Sequence, residues 1–153
     1  MRRRQTIARQ WLVIAGPDDR ESIERAIRLH RNSGVLLFER LSVSDMRRLR
    51  QRQRHLTIVV EEPRRAVRVH DIRELRRALL SRTRLILLSP LHPTRTHPDR
   101  KPIPRMRAAA LARLGGRRLV ALGGMDARKF ARIEQLGFVA WAGISAWKRC
   151  DAD

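Results

Sequence analysis

Two glycine-bearing turns late in the chain have the residue types an anion site needs. Gly123 and Gly124 follow the apolar run Val120-Ala121-Leu122, and Gly143-Ile144-Ser145 follows Phe138-Val139-Ala140-Trp141-Ala142. Glycine at a strand end lets backbone N–H groups approach an anion with no Cβ in the way, and successive N–H groups there form a concave nest. Asp126 then opens a helix whose positive dipole end would face the same place. Gly123, Gly124, Gly143 and Ser145 are the candidate phosphate-binding residues, and a bare strand-to-helix turn without ligand is the competing reading. A second polar cluster, Thr94, Arg95, Thr96 and His97, lies in a loop stiffened by Pro90, Pro93 and Pro98. Its hydroxyls and guanidinium fork could grip a pyrophosphate, against the plainer reading of a solvated loop. His70, at a strand end, is a possible acid/base group or substrate contact, with a turn role favoured. Glu61 and Glu62 are adjacent carboxylates. Magnesium needs only one or two of these beside substrate phosphates, and because neighbouring strand residues point opposite ways, Glu61 alone is the candidate metal ligand.

Four pieces stand in order: Val69-His70-Asp71 with Glu74; Ser89-Pro90-Leu91-His92-Pro93-Thr94-Arg95-Thr96; Ala121-Leu122-Gly123-Gly124-Met125; and Gly143-Ile144-Ser145-Ala146-Trp147. Together they resemble the thiamine phosphate synthase/TenI family, whose pattern is a His before a Glu-containing helix start, a Ser-Pro-x-x-x-Thr-x-(Ser/Thr) loop, an Ala-Leu-Gly-Gly-Ile turn and a last strand ending in Ser-Ala-Ile. The likeness covers residues 66–147. It implies a TIM-type (β/α) barrel and a transferase that joins hydroxymethylpyrimidine pyrophosphate to thiazole phosphate with Mg²⁺. It also implies that Gly123, Gly124 and Ser145 hold the thiazole or product phosphate, and that Thr94 and Thr96 contact the pyrophosphate. The first half departs from the pattern. Arg40 is the one remnant of the pyrimidine-binding strand, Glu61-Glu62 stand where Asn-Asp is expected, Arg68 replaces a serine before His70, and one strand with its metal aspartate is missing between Pro63 and Ala66. The resemblance therefore implies a shortened thiamine phosphate synthase-like protein of thiamine biosynthesis, or a degenerate phosphate-binding relative with reduced activity. A non-catalytic basic protein that binds phosphorylated ligands or RNA is the alternative.

The elements that must position these residues alternate. Apolar runs at 11–15, 35–39, 56–61, 66–70, 84–89, 118–122 and 138–142 read as strands, with helices expected at 22–30, 42–54, 71–80, 105–114 and 126–136. Gly34 fits a helix C′ position. Unbroken apolar strands between helices imply parallel strands covered on both faces. The fold expected is an incomplete parallel barrel of about seven strands, since a closed eightfold barrel takes at least ~200 residues; an open flavodoxin-like sheet is the alternative. Residues 61–65 are too short for the crossover that parallel neighbours need. The domain reading is a basic extension at 1–10, one barrel-like domain at 11–147 and a tail at 148–153.

With 35 Lys and Arg against 15 Asp and Glu, the net charge is +20. Such a field draws phosphates, nucleic acid or anionic surfaces. The charge is nearly all arginine and scattered along helix faces, as a GC-rich coding bias would leave it. Aromatic residues at 4%, with no tyrosine, supply a base-stacking platform poorly. One cysteine, Cys150, excludes a disulfide framework. The apolar run at 11–16 is shorter than the ~7–15-residue core of a signal peptide followed by its cleavage region, so a cytoplasmic protein is expected. The expected partners are phosphorylated small molecules, with homo-oligomers and nucleic acid left open and no membrane.

Overall fold

Strands built from consecutive apolar residues have no polar face to turn to water, so helices must cover one side and the strands themselves must close over the other. The computed structural model, which describes residues 7–52, 54, 56–94 and 98–147, has that arrangement. Strands β1 Gln10–Ile14, β2 Ser33–Leu37, β3 Thr57–Val60, β4 Ala66–Val69, β5 Leu85–Leu88, β6 Leu119–Leu122 and β7 Ala140–Gly143 alternate with helices α1 Arg20–Ala26, α2 Val43–Arg52, α3 Ile72–Leu80, α4 Arg105–Gly115 and α5 Ala127–Ile133. The strand order is β3-β2-β1-β7-β6-β5-β4, and every ladder is parallel. Because β1 pairs with β7, the seven strands form a nearly closed barrel-shaped sheet, which sets aside the open flavodoxin-like order.

Alternate residues split cleanly between its two faces. Trp11, Val13, Leu36, Leu85, Leu87, Val120 and Ala142 pack against one another inside the sheet. Their neighbours of opposite parity pack outward, Leu12, Val35 and Leu37 against Ile23 and Leu49, and Ile86, Leu88 and Ala121 against Leu75, Leu111 and Phe130. Helices α1, α2 and α3 start where side chains satisfy their first N–H groups. Asp19 accepts from Ser22 N at 3.2 Å, Ser42 Oγ accepts from Asp45 N at 3.1 Å, and Asp71 accepts from Arg73 N and Glu74 N at 2.8 and 2.9 Å. Among the described residues no helix is long and apolar enough to cross a membrane.

Two expectations need correction. The first helix spans Arg20–Ala26, earlier than the expected 22–30, because Asp19 caps it and Leu29 turns down into the core. Gly34 is no helix C′ residue. It lies inside β2 level with Trp11, where any Cβ would overlap Cε3 and Cζ3 of the buried indole. The glycine is required by the bulk of a neighbouring strand's side chain.

The junction at 61–65 is explained by topology. β3 and β4 are the two ends of the sheet, so they need no long crossover. Arg65 N and Ala66 N both donate to Glu62 O, at 3.0 and 3.1 Å, in a turn that holds Arg64 at φ 68°. Arg84 N and Leu85 N then donate to Arg64 O and Arg65 O, which docks the turn onto the entry of β5. The tilt and stagger of strands in a barrel let the exit of β3 meet the entry of β4.

Gly34→Ala should destabilise the fold by about 2–3 kcal/mol, as expected for overpacking a full core. In a Trp11→Leu background, urea unfolding should show a clearly smaller cost for the same change. An equal cost in both backgrounds would contradict the Gly34–Trp11 contact.

Candidate functional site

Loops that leave the C-terminal ends of the strands gather at one mouth of the barrel. β6 exits through Gly123 at φ 94° and Gly124 at φ 59°, conformations that side chains resist. A Cβ at Gly123 would lie 2.8 Å from Pro90 Cα, and one at Gly124 would lie 2.5 Å from Pro93 O. The close fit is fastened by Leu91 N to Leu122 O and His92 N to Gly123 O, both 3.1 Å, while Ile103 N to Pro90 O at 2.9 Å closes the base of the proline loop. On the other side, a Cβ at Gly143 would lie 3.0 Å from Met125 O. Gly123, Gly124 and Gly143 are thus brought together. Ser145 opens the 3₁₀ turn Ser145–Trp147 directly after β7. That turn is anchored by Trp147, stacked on Trp141 with ring centres 5.5 Å apart and donating through Nε1 to Trp11 O at 3.3 Å. Thr94 follows Pro93 in the same loop. Arg95, Thr96 and His97 lie outside the described residues.

The electrostatics differ from expectation at one point. The positive end of α5 does not face an open anion position, because the carboxylate of Asp126 accepts from Lys129 N at 2.8 Å. That hydrogen bond and the Lys129 charge hold the Asp126 carboxyl below the usual range. α5 is also only seven residues long. The cation at the turn is instead Lys129, a residue that the sequence motifs did not mark. Its Nζ donates to Gly124 O at 2.6 Å and stands 3.6 Å from Asp126. Its position three residues after the cap, folding back over the turn, was the available signal. Burial, then the Lys129 charge, push the His92 imidazole towards its neutral form.

His70 is tied down at several atoms. Its Nδ1 stands 2.6 Å from Ser89 O, an arrangement that makes Nδ1–H the donor. Its backbone N donates to Glu74 Oε2 at 2.6 Å, and Arg100 Nη1 lies 3.4 Å from Nε2. These contacts tie the end of β4 to the end of β5. Glu61 is paired with Arg68 at 2.7 Å, and Glu62 with Arg40 at 2.6 Å and Arg65 at 3.7 Å. The Arg68 guanidinium also lies 4.3 Å over the Phe38 ring. Among the described residues no three His, Cys, Asp or Glu side chains gather as metal ligands do. Magnesium requires carboxylate oxygens free to coordinate, whereas here both are engaged by guanidinium groups that would repel a dication. The residues present do not fit a magnesium site at Glu61. Arg40, 82% exposed at its side chain, serves that same cluster.

No protein-family model matches the chain, and no curated protein sequence does. Solved structures do. The chain is similar to a thiamine phosphate pyrophosphorylase from Pyrococcus furiosus, with TM-score 0.71 and 13% identity over 95% of this chain and 90% of that one. It is also similar to a thiamine phosphate pyrophosphorylase from Bacteroides thetaiotaomicron, with TM-score 0.53 and 13% identity over 94% and 86%. At such identity the likeness establishes a shared fold.

Asp45, Asp71 and Asp126 all have carboxyls held below the usual range by hydrogen bonds to Ser42, Glu74 N and Lys129 N respectively. A depressed folded-state pKa stabilises above the unfolded value and ceases to do so as pH falls through the folded one. Stability should therefore drop on acidification below about pH 4. Asp126→Ala should cost about 1 kcal/mol at neutral pH, with the gap to wild type shrinking below pH 4 in denaturant titrations. A gap independent of pH would contradict the capping role.

Proposed function

We propose that this chain binds a phosphorylated small molecule at the barrel mouth, over Gly123, Gly124, Gly143 and Ser145. In this reading it is a shortened thiamine phosphate synthase-like protein that keeps the phosphate half of the site. The observation that carries the reading is the approach of the last two turns, where a Cβ on Gly143 would stand 3.0 Å from Met125 O. Phosphate sites in (β/α) barrels lie at the loops after the last two strands, often with a short extra helix, and the 3₁₀ turn Ser145–Trp147 is in that place. Lys129 adds a positive charge beside the glycine turn. The resemblance of the late motifs to the thiamine phosphate synthase/TenI family makes thiazole phosphate the ligand to try first. Thr94, Arg95 and Thr96 are the proposed contacts for a pyrophosphate on the adjoining loop.

The transferase reaction is the finer part of the proposal. It would form a bond between the pyrimidine methylene carbon and the thiazole nitrogen, with inorganic pyrophosphate leaving. The departing anion needs strong charge stabilisation, and in the enzymes that use a metal the cation provides it. With Glu61 held by Arg68, that support would have to come from arginines, so binding with reduced turnover is the form the geometry favours.

Trp141 and Trp147 stack beside Gly143 and make binding visible by fluorescence. Thiazole phosphate should change their emission saturably, and Mg²⁺ should leave the affinity unaltered. Ser145→Ala should weaken binding about tenfold or more, the loss of one charge-assisted hydrogen bond. Absence of a saturable response, or binding that requires Mg²⁺, would defeat the proposal. Incubation with both substrates and detection of thiamine phosphate measures how much turnover survives.

A further inference from the structure

The missing strand–helix unit leaves a face of the molecule uncovered. β3 pairs with β2 alone and ends the sheet. Beside it, the outer face of α2 and the loop before it border an open groove of about 610 Å³, lined among others by Arg40, Val43, Met46, Arg47, Arg50 and Arg54. A second hollow of about 380 Å³ continues from Arg50 and Arg54 over Leu56 and Ile58. Val43 is 79% exposed, and Met46, Ile58 and Val60 are only partly buried, so the floor is apolar. The rim is cationic. Among the described residues, Arg47, Arg50 and Arg54 form no ion pair. The nearby Asp45 is buried and already held by Arg20 and Ser42.

Three properties coincide here: an unpaired strand edge, an apolar floor and unneutralised arginines. An edge strand offers backbone donors and acceptors to another extended chain, whose alternate side chains point to one face. A second copy of this chain, itself carrying +20, is repelled from such a rim. Single-stranded RNA would satisfy the charge, but among the described residues no aromatic side chain lines the groove for base stacking. We infer that the groove binds an extended acidic segment of a partner protein, which adds alongside β3 with its carboxylates on Arg47, Arg50 and Arg54 and alternate apolar side chains on Met46 and Ile58. This is strand addition, specified by charge, and it leaves the barrel mouth free.

The test uses the full chain and a fluorescein-labelled octapeptide of alternating glutamate and valine. Anisotropy should show saturable binding that Arg47→Glu/Arg50→Glu weakens at least tenfold, and hydrogen exchange should show new protection of the edge-facing β3 amides of Ile58 and Val60. Arg47→Gln/Arg50→Gln, milder in its effect on folding, should weaken binding in the same direction. Phosphate binding at the mouth should be unchanged in both variants, so failure here is distinguishable from failure of the proposed function. Undiminished peptide binding by both variants would overturn the proposal. So would unprotected β3 amides, tighter binding of an oligouridylate of equal charge at the same arginines, or self-association of the chain through this face.

Discussion

Three loops meet at the barrel mouth because no Cβ stands at Gly123, Gly124 or Gly143. The proline loop after β5 lies against the first two, with Pro93 O where a Gly124 side chain would begin, and the turn after β6 lies against the third. The strands that deliver these loops are buried throughout, so the turns are mounted on the core of the molecule. Glycine here does two things at once. It admits the left-handed backbone of the turn, and it lets a neighbouring loop close to hydrogen-bonding distance. A ligand site that depends on backbone N–H groups inherits its geometry from that packing, which is how a core constraint becomes a functional one.

The junction between β3 and β4 is built on a different principle. Where β3 ends and β4 begins, Glu61, Glu62, Arg40, Arg65 and Arg68 form a set of mutually neutralising pairs. Such partly exposed pairs add little stability each, but they engage the carboxylates on which a metal would depend. β3 and β4 stand at the two edges of the sheet, and the seam between them is held by ion pairs. The open edge of β3 accounts for both the nearly closed barrel and the basic groove beside α2.

Much of the fold was legible in the sequence. All seven strands stand within a residue or two of the apolar runs, because parallel strands buried on both faces leave an uninterrupted signal. Asp71 and Asp126 announced helix starts through a local rule of capping. What the sequence hid was contact between distant residues. Gly34 looked like a helix stop because nothing local reveals that Trp11 lies across it. The helix opened by Asp126 looked available to an anion, yet its cap is the carboxylate that takes that position. Glu61 looked like a metal ligand until the neighbouring strand end supplied Arg68. The grouping of Gly123, Gly124 and Gly143 was legible, since it follows from strand order in a barrel. The groove beside α2 was not, since it exists only through the absence of a neighbour.

The central claim is that backbone amides at the two late turns share one anion. Its most direct test is a titration of ¹⁵N-labelled protein with inorganic phosphate, followed by amide chemical shifts. Gly123, Gly124, Gly143 and Ser145 should move together along a single saturating curve. Shifts confined to the arginines of α2, or glycine amides that stay still while phosphate binds elsewhere, would contradict the account.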